Sequence, residues 1–173
     1  MKKSIQNLII FGSGPHAILS AAESLKIYII KKIYFFDNIS SKSYLKISNK
    51  KYKIINEFTQ LNKFINRKSF FFIGVGNNKI RRKIYHQILK KYKKVNWLTV
   101  LSKNSNIDKS VKIGEGTLVM PGVTLNYNCS VGKFNIINTN SSIDHDCVLK
   151  DFISIGPGAN LAGNVKIFSV SSL

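Results

Sequence analysis

The chain is poor in the residues from which many sites are built. Among 173 residues it has two cysteines, three histidines and eight acids. Two cysteines cannot make a disulfide framework, and no Cys/His cluster has metal-ligand spacing, so no metal is expected. Cys129 and Cys147 lie 18 residues apart. They read as reduced, buried thiols of a cytoplasmic chain, although a disulfide at that spacing stays open. No run of 18 apolar residues occurs, so no membrane insertion is expected. Met1-Lys-Lys leads only a short apolar strand, which does not read as a signal peptide. The shortage of acids leaves 27 Lys and Arg and a net charge of +19. That charge is lopsided: residues 1–100 carry 21 basic residues and three acids, and residues 101–173 carry six and five. Such a basic half attracts phosphates, while the crowding of Lys, Ile and Asn also fits an AT-rich coding bias. No nucleic-acid-binding motif accompanies the charge, so nucleic acid is not an expected partner.

What is present is a strict period. From Ile107 to Ile167 every sixth residue is Ile, Leu or Val, through Ile113, Val119, Leu125, Val131, Ile137, Ile143, Leu149, Ile155 and Leu161. Neither helix nor strand spacing gives a strict six, whereas a stacked β-helix does. The fourth residue after each aliphatic is usually small or branched, as at Val111, Thr117, Cys129, Cys147 and Ala159, which suits a narrow interior. If three hexads close one coil, residues 18 apart stack about 4.8 Å from each other. Such coils also serve as inert rods, but the polar chemistry in the corners argues against that here.

The first hundred residues alternate between strand and helix, which predicts a parallel α/β sheet of Rossmann-like type. Residues 7–12 read as a buried strand ended by glycine, followed by the turn Gly12-Ser-Gly14-Pro15-His16-Ala17 and a helix from Ile18 to about Lys26. Ile33–Asn38 reads as a second strand ending in an acid, Asp37, that suits a ribose or base edge. A strand near 53–56, a helix near 57–66 and a strand at 70–75 follow. The last ends at Gly74-Val-Gly76-Asn77-Asn78 and caps a helix reaching about Tyr92. The basic face of that helix, Arg81 included, reads as solvated surface. Gly12–His16, Asp37-Asn38 and Gly76–Asn78 all fall at the carboxyl edge of the strands, where such sheets bind ligands. Trp97–Leu101 reads as a last strand or linker. The expected domains are 1–101 and 102–173.

Within the hexads, Asp144-His145-Asp146 sets an imidazole between two carboxylates. A neighbouring carboxylate orients the ring and raises its basicity, as a general base requires. Strict stacking puts Tyr127 one coil before His145 and Gly163 one coil after, with Asp146 between Asn128 and Asn164. A glycine there leaves room for a substrate beside the base and an unshielded backbone N–H. Asn138, seven residues earlier, offers another donor. The alternative is a turn histidine satisfied by Asp146.

The segments Asn138-Thr-Asn-Ser-Ser-Ile-Asp-His145-Asp-Cys-Val and Ile155-Gly-Pro-Gly-Ala-Asn-Leu-Ala-Gly163-Asn-Val resemble the sugar O-/N-acetyltransferases of the hexapeptide-repeat superfamily. These are of the sialic-acid O-acetyltransferase and UDP-4-amino-sugar N-acetyltransferase type. The turn at Gly12–Ala17, Asp37-Asn38 and Gly76-Asn-Asn-Lys-Ile-Arg81 resemble that family's nucleotide-sugar domain. The resemblance implies a left-handed parallel β-helix, a homotrimer, acetyl-CoA as donor and a nucleotide-linked or sialic-acid-type sugar as acceptor, in bacterial surface glycan synthesis. It makes His145 the base tuned by Asp146. Gly14, Pro15, His16, Asp37, Asn38 and Gly76 become the sugar-nucleotide contacts, and Ser154 and Gly163 the acetyl-CoA contacts. At Ser154 some relatives carry a histidine, and at Pro15 the usual glycine is replaced, with loss of one N–H. After Ile167 the hexads give way to Phe168-Ser-Val-Ser-Ser-Leu173. The chain therefore reads as a C-terminally truncated member lacking part of the donor groove, and a catalytically impaired nucleotide-sugar-binding protein is the alternative reading.

Overall fold

Strand β1 (Ser4–Phe11) is apolar because both its faces are covered: Ile5, Leu8, Ile9, Ile10 and Phe11 are all buried. The computed structural model describes residues 2–66 and 68–168. Positions 169–173 of the expected hexad domain lie outside the described residues. The chain divides into two units, Met1–Val75 with Lys83–Leu98 and Gly76–Arg82 with Thr99–Leu173.

In the first unit, β1 is followed by helix α1 (Pro15–Ile27), β2 (Ile29–Phe36), β3 (Tyr44–Ile47), β4 (Lys50–Ile55), a 3₁₀ segment (Phe58–Phe64) and β5 (Ser69–Ile73). The sheet order is β3-β4-β2-β1-β5. Every pairing is parallel except β3 with β4. The Rossmann-like sheet is therefore present, with an antiparallel edge hairpin not read from the sequence. Ile47 pairs with Lys50 across a two-residue turn, and Ser48 there takes a φ of 51°. Helix α1 starts at Pro15 rather than Ile18. Proline at the first helical position loses no intrahelical bond, since the first amides have no partner there. The segment expected as a helix near 57–66 is the shorter 3₁₀ turn, and its Phe58 ring lies 4.6 Å from that of Phe36. Phe11, Phe71 and Trp97 form the aromatic side of the core. Helix α2 (Asn78–Lys91) has residues in both units.

The second unit is a parallel β-helix. Twelve two-residue strands, from Val100–Leu101 to Lys166–Ile167, make three four-stranded sheets. Thr124 pairs with Ser142 and Ser142 with Asn160, each 18 residues on. Three hexads thus close one coil, and the second residue of each strand points inward. Leu125, Val131, Ile137, Ile143, Leu149 and Ile155 are at most 2% exposed, which is the physical origin of the period. From Ile113 to Leu161 the third residue after each aliphatic turns the corner in the left-handed region, as at Asn128, Asn140, Asp146 and Asn164. Asn and Asp tolerate that conformation better than bulkier residues. The coil starts earlier than expected at 102, because Val100–Leu101 already pairs with Leu118–Val119. Cys129 and Cys147 are buried and free. Their thiols donate to the carbonyls of Asp144 and Ala162 at 2.9 and 3.2 Å. No helix among the described residues is long and apolar enough to cross a membrane.

Candidate active site

His145 stands at a corner of the coil with about half of its side chain exposed. Its Nδ1 lies 2.9 Å from Asp146 Oδ2. A carboxylate can only accept, so Nδ1 carries a proton, and in the neutral ring Nε2 keeps its lone pair. Gly163, one coil on, lies against the far side of the ring. A Cβ on Gly163 would sit 2.6 Å from both Cε1 and Nε2 of His145, inside van der Waals contact. The backbone stack that brings them together is continuous: Asp146 N donates to Tyr127 O, and Asn164 N to His145 O.

The previous coil buttresses both acids. Asn128 Nδ2 donates to Asp146 Oδ1 at 2.6 Å, and Asn126 Nδ2 to Asp144 Oδ1 at 3.0 Å. Asp144 Oδ1 also accepts the backbone N–H of His145 at 2.8 Å. The hydrogen bond to Asp146, helped by the charge of Asp144, holds the imidazole above its ordinary pKa. Asn128 and then His145 hold Asp146 below the ordinary carboxylate value. The group is therefore a charge-supported imidazole with one free nitrogen, facing a gap that exists because residue 163 has no side chain. Asn138 follows strand Ile136–Ile137, one full side of the coil before the corner that carries His145.

The first unit gathers a second set of residues at the carboxyl ends of its strands. Gly12 leaves β1 at a φ of +98°, a conformation that suits glycine and few other residues. Gly14 caps α1, and Pro15 and His16 occupy its first turn. Asp37 follows β2, but its carboxylate is largely engaged. Oδ1 accepts the N–H groups of Ile39 and Ser40 at 3.1 Å, and Oδ2 accepts the Ser13 hydroxyl at 2.5 Å. Of about four lone-pair positions one remains, so the acid first ties the Gly12–His16 turn to the 37–40 turn. Asn56 Nδ2 completes the clamp on the carbonyls of Asp37 and Ser40. Asn38 is exposed beside it.

Gly76 follows the carboxyl end of β5 and groups with the coil. Arg81 explains why. Expected on a solvated face, it is 1% exposed and donates to Gly76 O, Phe134 O and Asn78 Oδ1 at 3.0, 2.8 and 2.6 Å. Burial pulls its pKa down to about 10. Ser154 belongs to the same network, donating to Asn78 Oδ1 at 2.6 Å. Asn78 lies within a stretch the sequence singles out, but the burial of Arg81 carried no signal of its own, since it looks like the other basic residues of its helix. Asn128 did carry one, its 18-residue offset from Asp146. Among the described residues no group of three or more His, Cys, Asp or Glu could hold a metal ion.

Residues 7–88 match the PglD N-terminal domain family. The chain is 33% identical over 100 residues to GDP-perosamine N-acetyltransferase of Escherichia coli O157:H7, a match covering 58% of this chain and 44% of that protein. It thus spans less than half the length of that relative. The acetyltransferase domain of PglB from Neisseria gonorrhoeae FA1090, solved in complex with acetyl coenzyme A, superposes with a TM-score of 0.81 at 26% identity. That match covers 98% of this chain and 79% of that domain. A mutant of GDP-perosamine N-acetyl transferase from Caulobacter crescentus, solved with CoA and GDP-perosamine, shares the fold with a TM-score of 0.78 at 24% identity, over 94% of this chain and 74% of that one. A PglD-type sheet domain followed by a stacked hexad coil gives the chain the fold of these acetyltransferases.

Proposed function

We propose that the chain transfers an acetyl group from acetyl-CoA to an amine of a nucleotide-linked sugar. The observation that carries this reading is the half-exposed imidazole held between Asp146 and the bare backbone of Gly163. The N-acetylation named for the Escherichia coli relative supports an amine rather than a hydroxyl as acceptor.

In the reaction the acceptor amine attacks the thioester carbonyl, a C–N bond forms, and the C–S bond breaks to release the CoA thiolate. His145 Nε2 takes the proton that the amine gives up, and Asp146 stabilises the imidazolium so formed. No covalent enzyme intermediate is required. Gly163 fits the donor side because any larger residue would occupy the space beside Nε2. In the first unit, the turn at Gly14, Pro15 and His16, with Asp37 and Asn38, is assigned to the nucleotide. The helix N-terminus there favours phosphate. Assembly as a homotrimer belongs to the same proposal.

The test is incubation of the purified chain with acetyl-CoA and a panel of GDP-, UDP- and CMP-linked sugars, following thiol release. Transfer to at least one amino sugar is expected. Binding of a nucleotide sugar with no thiol release would replace the reading by that of a binding protein.

The electrostatics give a pH prediction. A base must be neutral to accept a proton, so the rate is full above the raised His145 pKa and falls as pH drops through it. Asp146→Asn replaces the charged acceptor that raises that pKa by a neutral one. The acidic limb of kcat/KM is therefore expected to move to lower pH. The plateau falls about tenfold, because a less basic and less oriented ring accepts the proton more slowly. A limb that stays in place would remove Asp146 from the mechanism.

A further inference from the structure

Two buried thiols lie beneath the corner that carries His145 and Gly163. Cys129 and Cys147 are 1% and 0% exposed and stack on successive circuits, Ser130 N donating to Cys147 O at 2.8 Å. Cys129 Sγ donates to Asp144 O at 2.9 Å, with Tyr127 O farther off at 3.8 Å. Cys147 Sγ donates to Ala162 O at 3.2 Å. These two carbonyls belong to the peptide units that supply the backbone nitrogens of His145 and Gly163. In a trans peptide the N–H points opposite to the carbonyl. A carbonyl turned to a thiol inside the coil therefore sends its N–H outward. His145 N uses that direction to reach Asp144 Oδ1 at 2.8 Å. Gly163 N takes the same direction beside the imidazole. Proline fills the equivalent corner place at 121 and 157, so the coil itself needs no N–H there.

Sulfur stands at the two places in its column from which these peptides are reached. Val111 lies one circuit before Cys129, and Val165 one circuit after Cys147. Val111 has no proton to give to the peptide fifteen residues on, Asn126–Tyr127, and the coil turns that corner without it. Valine thus serves as a filler of this column, and packing alone does not call for a thiol. Thr117 makes the same bond in another column, its hydroxyl donating to Gly132 O, again fifteen residues on, at 2.9 Å. An oxygen donor therefore suits the same geometry. Burial pushes the Cys129 thiol above its ordinary pKa, so it keeps the proton that it donates.

We infer that Cys147 and Cys129 are positioning residues, whose thiols fix the planes of the Ala162–Gly163 and Asp144–His145 peptides and so aim the Gly163 N–H outward beside His145. The inference rests on the acetyltransferase reading for what is transferred there, and on the coil alone for the two bonds.

The experiment compares Cys147→Val, Cys147→Ser and Thr117→Val with the unaltered full chain. Cys147→Val removes the donor and keeps an apolar filler, and kcat is expected to fall about fivefold, the effect of one lost hydrogen bond. Neither KM should move much, because an N–H aimed beside the base acts on charge that develops as the amine attacks. Cys147→Ser retains a donor and is expected to recover most of that kcat, although a buried hydroxyl is the less stable filler. Activity is then ordered serine above valine, and melting temperature valine above serine. Thr117→Val breaks the same kind of bond at another corner, and its kcat is expected to match that of the unaltered chain. Activity that simply follows melting temperature would overturn the inference, as would full kcat in folded Cys147→Val or an equal loss in Thr117→Val. Should Cys147→Val not fold, Cys147→Ala takes its place. The infrared S–H stretch needs no turnover. Both thiols are expected at the lowered frequency of a donor bound to a carbonyl, and bands at the free-thiol position would overturn the inference. If the unaltered chain transfers no acetyl group, the functional reading fails by itself, and the infrared bands still decide the two bonds.

Discussion

His145→Ala is expected to lower kcat by roughly a hundred- to ten-thousandfold, the range that a positioned general base contributes. The melting temperature should barely move. The side chain is half exposed and packs into no core, and such surface substitutions change stability by about 0.5 kcal/mol or less. The separation of the two readouts is informative. A turn histidine, satisfied by Asp146 and nothing more, would give small effects in both. An unchanged kcat in a folded variant would therefore end the base assignment, whatever the identity of the sugar. Because the base takes its proton from the amine as the C–N bond forms, the loss should lie in kcat more than in either KM.

Gly163→Ala is the second large effect, and it is reached by geometry alone. The added methyl would lie 2.6 Å from Nε2, so the ring must swing away. That swing is cheap for a half-exposed side chain, but it withdraws Nδ1 from Asp146 and Nε2 from the acceptor. Gly163 has no left-handed φ, so alanine meets no backbone penalty there. A displacement near 1 Å at a reacting group costs on the order of a hundredfold in rate, and that loss is expected in kcat with folding intact. The ring shift is observable separately, since the imidazole pKa should fall once Asp146 no longer holds it. Full activity in Gly163→Ala would mean that the space beside Nε2 is not used.

Much of this site was readable from spacing. The hexads foretold every inward aliphatic from Ile107 to Ile167, and the 18-residue coil placed Gly163 beside His145 and Asn128 beside Asp146. Leu101 escaped because it sits one hexad before the first clear repeat, next to Trp97, in what read as a strand or linker. Strand β3 escaped because Tyr44 and Lys46 are exposed and Leu45 and Ile47 only half-buried, so an edge strand there resembles a loop. Asp37 was found, but its commitment to Ser13, Ile39 and Ser40 depends on how two turns meet, which no local pattern records. Arg81 was misread for a similar reason. Its burial is a property of the carbonyls it reaches at Gly76, Phe134 and Ile153, and those lie up to 72 residues away.

The 18-residue offset of the strand ladders also makes the length of the coil a quantised property. Losing a single residue at a corner would move every later side chain off its column and turn inward aliphatics toward water. Gain or loss of a whole circuit shifts nothing sideways. Growth and shrinkage by complete turns, placed away from the two circuits that carry residues 145 and 163, are therefore length changes this architecture absorbs without dismantling its own chemistry.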